Sequence, residues 1–261
     1  MDRSFLAAFA LTLGAGLSTA LGGLVAVARS QVTPRLLAGG LGLSSGVMIY
    51  VSFMELMPSG AAHLGDESWA ALSFFAGIAL ILAIDRYVPE DVNPHEPSGL
   101  PGEDGPAVAQ RGALMRVGLV TAAVITLHNL PEGFATLITS LEDFQAGAMI
   151  AAAIAIHNIP EGIAVSVPIY AATGSRSKAF WYAAGSGLSE PLGALLLYLL
   201  LAPFISPALI GVCLCAVAGV MVFVSLDELL PTAQKFGEHH AAVYGLVAGM
   251  GVMALSLELL S

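Results

Sequence analysis

Two copies of one polar motif lie near the middle of the sequence. The first copy, over residues 127–133, reads LHNLPEG, and the second, at residues 156–162, reads IHNIPEG. Their polar members are His128, Asn129 and Glu132 in the first copy and His157, Asn158 and Glu161 in the second. Because a helix turns about 100° per residue, the three polar side chains of each copy project within a single arc. The motif therefore predicts two helix faces that each present one nitrogen and two oxygen ligand atoms.

This set of ligand atoms suits a divalent transition-metal ion. Zinc accepts imidazole nitrogen and carboxylate oxygen together, whereas calcium and magnesium sites are built from oxygen alone. Pro131 and Pro160 each remove an internal helix hydrogen bond and leave a carbonyl one turn earlier without its partner. Such groups are costly inside an apolar segment, so we expect a bound cation. The alternative is that the polar side chains only bond to each other across a helix pair.

The segments that carry the motif are apolar. The chain has 261 residues, of which 57% are hydrophobic and 11% charged. Its mean hydropathy of +0.84 is typical of an integral membrane protein. We predict an all-α integral membrane protein, a single domain of eight transmembrane helices. Their predicted ranges are about 5–28, 36–61, 69–88, 114–139, 145–171, 178–201, 208–233 and 240–260.

The distribution of charge predicts how the protein is oriented in the membrane, and the net charge does not favour nucleic acid as a partner. Eight of the nine basic residues fall on the side of the long segment 89–113, and Arg3 alone falls on the other side. Because positive charge favours the cytoplasmic side, segment 89–113 is predicted to be a mobile cytoplasmic loop and both termini to face outward. The net charge of -10 does not favour nucleic-acid binding. The short loops favour a bacterial inner membrane.

Internal repeats indicate a symmetric architecture. Residues 46–58 of the second helix match residues 219–231 of the seventh, with eight of thirteen positions identical, and residues 16–24 of the first match 187–195 of the sixth. The matched helices cross the membrane in opposite directions, which predicts an inverted repeat in a 3+2+3 arrangement with its binding site near the midplane. One departure from the repeat between the first and sixth helices adds a carboxylate, because Thr19 in the first half is replaced by Glu190 in the second. With Glu132 and Glu161, this third carboxylate could balance the charge of one or two divalent cations.

These features resemble the ZIP family of divalent-metal transporters, and most closely its bacterial ZupT branch. The resemblance is carried by the two motifs and by the sequence GLSEPLG at residues 187–193, and it covers almost the whole chain. It implies inward transport of zinc, and often of iron, manganese or cobalt, between the fourth and fifth helices of a homodimer. The metal ion would be the transported substrate, and no cofactor is implied.

The resemblance also implies a binuclear site in which Glu132 and Glu161 bridge the two ions. The first ion would be bound by His128, Glu132, His157 and Glu161, and the second by Asn129, Asn158 and Glu190. The family's histidine-rich cytoplasmic loop is reduced here to His95 beside Glu96.

Among three further acids, Glu55 and Glu228 occupy equivalent places in the repeat, and Asp227 lies beside Glu228. We expect them to mark the entrance and exit of the metal pathway, with solvated helix ends as the alternative. The histidines near helix ends, among them His63, are expected to be solvated and at most weak auxiliary capture groups.

Two rival functions use the same ligands. A membrane metalloenzyme would be expected to carry His-Glu-x-x-His or paired Glu-x-x-His motifs, which this sequence lacks. A non-transporting metal sensor would bind the ion without moving it. We therefore expect a transporter and not an enzyme, and the sequence leaves open whether ions pass through a channel or by movement of the central helices.

Overall fold

The computed structural model describes residues 3–28, 33–87 and 107–260, and these ranges are helical apart from short turns. The helices are α1 (Arg3–Ala28), α2 (Pro34–Leu64), α3 (Glu67–Tyr87), α4 (Ala107–Glu142), α5 (Phe144–Thr173), α6 (Arg176–Leu201), α7 (Pro207–Gln234) and α8 (His239–Leu260). Seven of these helices are long and apolar enough to cross a membrane, and α3 has a shorter apolar stretch over Glu67–Ala83. The architecture is that of a multi-helix membrane protein.

All eight predicted helices are present, and their ends agree with the prediction to within three residues except at one place. The helix of α4 begins at Ala107, seven residues before the predicted start, whereas its membrane-length apolar stretch begins at Leu114, as predicted. Alanine, glutamine and arginine in this first stretch are good helix formers, so the helix extends into the segment predicted as loop. The rest of that segment, with His95 and Glu96, lies outside the described residues.

Polar caps define several helix ends. The side chains of Thr33 and Ser206 accept a backbone hydrogen bond at the start of α2 and α7, and a proline follows each of them as the first helical residue. Asp143 forms the one-residue turn between α4 and α5 and caps α5 through its Oδ1 atom. This tight turn makes α4 and α5 antiparallel neighbours, so the two motif copies lie on helices that pack along each other.

Both α2 and α7 contain one π-helical turn. These turns span Ser52–Leu56 and Ser225–Leu229. One residue separates each turn from a proline, Pro58 in α2 and Pro231 in α7. The amide of Met57 bonds to the carbonyl of Ser52, and the amide of Leu230 bonds to the carbonyl of Ser225, five residues earlier in each case. A proline cannot donate the usual helical bond, and the wider turn accommodates that interruption within a continuous helix.

The helices form two groups of four that share an apolar core. In one group α1 packs along α5 and α6, and α4 packs along α5 and α6; in the other group α2 packs along α8, and α3 packs along α7. Contacts of α2 with α5, and of α4 with α7, join the two groups. The largest buried apolar cluster includes side chains from both groups, so the site helices are enclosed by protein on several sides.

Glycines permit the closest approaches around α4 and α5. A Cβ atom placed on Gly162 of α5 would overlap the carbonyl of Thr19 in α1, and one on Gly133 of α4 would overlap the carbonyl of Glu190 in α6. Small residues are typical of membrane helix interfaces because they let two backbones meet. These contacts set the separation of the motif helices from their neighbours.

We expect Gly133→Ala and Gly162→Ala to lower the free energy of unfolding by about 1–3 kcal/mol, because the added methyl group forces two backbones apart. Thermal unfolding of the detergent-purified protein measures this effect. Gly185→Ala is the matched control, since a Cβ atom at Gly185 meets no atom within 4 Å. Equal stability of all three variants would contradict the packing account.

Candidate metal centre

The polar residues of both motifs are buried in the middle of α4 and α5. None of the six predicted ligands on these helices exposes more than 1% of its surface, and Glu190 of α6 is likewise fully buried. Ionisable side chains inside a membrane bundle usually face one another or a pathway for ions. The structure places all seven predicted ligand residues inside the bundle.

Two reciprocal contacts connect the motif copies. His128 Nε2 lies 3.4 Å from Glu161 Oε2, and His157 Nε2 lies 3.5 Å from Glu132 Oε2. Zinc bonds to nitrogen and oxygen of about 2.0–2.2 Å, at a tetrahedral angle, place the two ligand atoms about 3.4 Å apart. Each histidine–glutamate pair therefore has the spacing of two ligands that share one zinc ion.

These side chains are left largely unsatisfied by the protein. Within the described residues, buried atoms of this region that make no hydrogen bond are His128 Nδ1 and Nε2, His157 Nδ1 and Nε2, Glu132 Oε1 and Oε2, and Glu161 Oε2. An unsatisfied buried polar group costs about 1–3 kcal/mol, so a bound cation would remove a considerable penalty. Among the described residues, no three histidine, cysteine or acidic side chains already converge as a metal-binding cluster. An ion shared by both pairs would have to draw them together.

The two asparagines are anchored by their amide nitrogens. Asn129 Nδ2 donates to the carbonyl of Ser186 at 3.2 Å, and Asn158 Nδ2 lies 3.0 Å from the carbonyl of Ala15 and 2.9 Å from Glu190 Oε2. The described residues offer no hydrogen bond to Asn129 Oδ1, Asn158 Oδ1 or Glu190 Oε1. The anchored nitrogens thus leave three oxygen atoms available for a cation, and α6 brings Glu190 to the motif helices.

The three predicted pathway acids lie in the π-helical turns. Glu55 is half-buried in the turn of α2, whereas Asp227 is half-buried and Glu228 buried in the turn of α7. All three acids are therefore positioned by π-helical turns, a backbone geometry that the sequence did not predict.

One polar contact to the motif comes from a residue that the sequence analysis missed. Ser44 of α2 is fully buried, and its Oγ lies 3.4 Å from Glu161 Oε1 and 3.2 Å from the carbonyl of His157. Both distances are long for a hydroxyl bond, as expected when one proton is shared between two acceptors. The internal repeat gave no signal, since the matching residue of α7 is Val217. Glu161 therefore has a hydroxyl partner, whereas neither oxygen of Glu132 accepts a hydrogen bond from the described residues.

Comparison with known proteins identifies the family. The model of the family described as ZIP Zinc transporter matches residues 90–257, which is more than half of the chain. The chain belongs to the ZIP zinc transporter family. Proteins named "Zinc transporter ZupT" are similar to it along nearly their whole length. The protein of Corynebacterium glutamicum is 57% identical over 97% of this chain and 98% of its own, and that of Corynebacterium aurimucosum is 54% identical over 99% of both. The protein of Campylobacter jejuni is 50% identical over 97% of this chain and 96% of its own.

The family resemblance predicted from the doubled motif is thereby confirmed. The matched ZIP region includes α4 to α7 and so contains all seven predicted ligands. Together with the apolar helices, membership of the ZIP family identifies the chain as a multi-pass, all-α membrane protein.

We expect Ser44→Ala to weaken zinc binding by about threefold to tenfold, the effect of losing one hydrogen bond to a ligand oxygen. Isothermal titration of the purified protein with zinc measures the change, and Ser44→Thr, which keeps the hydroxyl, should restore most of the affinity. Ser45→Ala is the matched control, because the neighbouring Ser45 donates to Leu41 and Ser225 carbonyls and not to the motif. Equal zinc affinity of Ser44→Ala and Ser45→Ala would refute this role of Ser44.

Proposed function

We propose that the protein carries zinc across the membrane into the cytoplasm through the site between α4 and α5. The observation that carries the proposal is the reciprocal pairing of His128 with Glu161 and of His157 with Glu132 inside an apolar bundle. The names of the ZupT relatives, which are zinc transporters, support zinc as the substrate. Iron, manganese and cobalt would be further substrates, because the same nitrogen and oxygen ligands accept them.

We propose further that two ions bind side by side. The histidines and glutamates of the two motifs would hold the first ion, and Asn129, Asn158 and Glu190 the second, with Glu132 and Glu161 between them. The unsatisfied oxygens of the two asparagines and of Glu190 support this second site. The three carboxylates together would offset most of the charge of two divalent ions.

An inverted 3+2+3 repeat would explain the arrangement of helices around the site. In support, Asn158 of α5 bonds to the Ala15 carbonyl of α1, and Asn129 of α4 bonds to the Ser186 carbonyl of α6. The glycine contacts of α5 with α1 and of α4 with α6 repeat in the same way, as do the π-helical turns of α2 and α7. A pseudo-two-fold exchange of the two halves accounts for each of these matches.

Transport requires the ion to exchange its water for protein ligands and then to leave them. Imidazole, amide and carboxylate atoms of the two motifs would replace water one ligand at a time. Glu55 would lie at the entrance and Asp227 with Glu228 at the exit. Release would follow from protonation of a bridging carboxylate or from movement of the motif helices against their neighbours.

We place the protein in the bacterial inner membrane as a homodimer, with both termini outside. The distribution of basic residues supports this orientation, which puts the α2–α3 and α4–α5 turns on the outer face. A membrane metalloenzyme and a non-transporting sensor are less well supported, because the relatives are named as transporters.

Cells that express His128→Ala or Glu161→Ala should take up radioactive zinc at least about tenfold more slowly than cells with the unchanged protein, because each variant removes one ligand of the first ion. His240→Ala, in the first turn of α8, is the control and should transport normally. Zinc that binds the purified protein with no uptake by any variant, including the unchanged chain, would favour the sensor.

Replacement of Glu190 by threonine, the residue of the other half of the repeat, tests the second ion. Metal analysis of zinc-loaded protein, after gel filtration in metal-free buffer has removed weakly bound zinc, should give two zinc ions per chain for the unchanged protein and one for Glu190→Thr, since only the second site loses its carboxylate. A ratio of one in the unchanged protein would contradict the binuclear site.

A further inference from the structure

A second histidine–glutamate pair lies at one end of the bundle, away from the motif. His63, in the last turn of α2, places its Nε2 atom 2.8 Å from Oε2 of Glu142, the last residue of α4. The side chains expose 21% and 43% of their surface, so the pair can exchange ions with solvent. The pair joins α2, from one group of four helices, to α4, from the other group. It lies at the end of the bundle where the α2–α3 and α4–α5 turns are.

The other ring nitrogen determines the chemistry of this pair. His63 Nδ1 lies 2.7 Å from the carbonyl oxygen of Ser59. A carbonyl only accepts, so Nδ1 must carry a hydrogen atom. In the neutral imidazole, Nε2 then holds a lone pair, and it faces a carboxylate oxygen that is also an acceptor. Two acceptors 2.8 Å apart require a proton or a metal ion between them, and a proton there would be shared by Nε2 and the carboxylate.

The neighbouring acids are engaged elsewhere. Asp66 Oδ1 accepts hydrogen bonds from the amides of Ser68 and Trp69, and Asp143 Oδ1 accepts from the first amides of α5. Glu67 adds a further negative charge to this end of α3. The first turns of α7 contact His63 at Gly211, and residues 207–212 carry no titratable side chain. Glu142 is therefore the carboxylate that meets the ring, while the capping acids make the surrounding potential negative.

We propose that His63 and Glu142 form a zinc-capture site in which the metal displaces the proton held between them. A histidine that donates its other N–H to a backbone carbonyl is already oriented as a metal ligand. Zinc would bond to Nε2 and to a carboxylate oxygen, with water completing its coordination, and one proton would leave the imidazole for solvent. Widening the pair from 2.8 Å to the ligand spacing of about 3.4 Å needs only a small movement of the exposed Glu142 side chain.

Two protein ligands make a weak site, and weak binding suits capture because the ion must pass on to the buried motif. The capture role rests on the proposed uptake direction, which places this end outside; zinc binding by the pair does not. Because zinc must displace a proton from the imidazole, protons compete with zinc as the external solution becomes more acidic. The site would then lower the amount of zinc captured in acid.

The binding test removes the central site first. Purified full-length protein with alanine in place of His128 and His157, and glutamine in place of Glu132, Glu161 and Glu190, lacks every imidazole and carboxylate proposed for the two central ions. It should still bind one zinc ion weakly, with release of up to one proton per zinc in isothermal titration near pH 6. Adding His63→Ala or Glu142→Gln should abolish this binding, whereas adding His239→Ala, a histidine at the start of α8, should not. No residual zinc binding, or binding that survives both His63→Ala and Glu142→Gln, would show a plain ion pair and overturn the proposal.

A second measurement does not depend on the folding of the multiple variants. In cells, His63→Ala and Glu142→Gln alone should raise the KM for zinc uptake at neutral pH by about threefold to tenfold while Vmax stays within about twofold. Acid should raise the KM of the unchanged protein, and it should raise the KM of both variants less. Normal KM and normal pH dependence in these variants, with active uptake by the unchanged chain, would overturn the capture site alone. Absence of uptake by the unchanged chain would instead overturn the proposed function.

Discussion

This structure depends on one constraint, which is a set of buried imidazole and carboxylate groups. Most of their polar atoms accept or donate no hydrogen bond within the described residues. Two histidines and two glutamates face one another across α4 and α5, with their ring nitrogens and carboxylate oxygens 3.4 and 3.5 Å apart. In an apolar bundle such groups are stable only if a cation or a proton balances them. The same unsatisfied atoms that lower stability without an ion would supply the binding energy for the proposed zinc ion.

The surrounding helices keep these groups in place and leave most of their nitrogen and oxygen atoms without a hydrogen bond from the described residues. Backbone carbonyls of α1 and α6 accept bonds from the asparagine nitrogens, so the asparagine oxygens stay available. The carbonyls can come so close because glycines line the same helix interfaces. Ser44 adds one hydroxyl contact from α2, which distinguishes Glu161 from Glu132. The glycines at the α1–α5 and α4–α6 interfaces therefore allow close helix packing, and this packing also orients the two asparagine side chains.

The sequence was sufficient to predict the features that follow from residue type and period. A polar motif repeated inside two long apolar segments predicted that its copies would face each other, and the apolar segments predicted the eight helices. Three features had no such signal. Ser44 is an ordinary residue in a membrane helix, and Pro58 and Pro231 predict an interruption but not its π-helical form. The contact of His63 with Glu142 depends on where two distant helices end, which tertiary packing decides.

The central claim is that one ion is shared by α4 and α5, and anomalous diffraction from zinc-loaded crystals tests it most directly. The account predicts an anomalous peak between the two helices, about 2.0–2.2 Å from at least one histidine nitrogen and one glutamate oxygen, with each helix contributing a ligand. Zinc found only at the protein surface, or bound by ligands from one helix alone, would contradict the account.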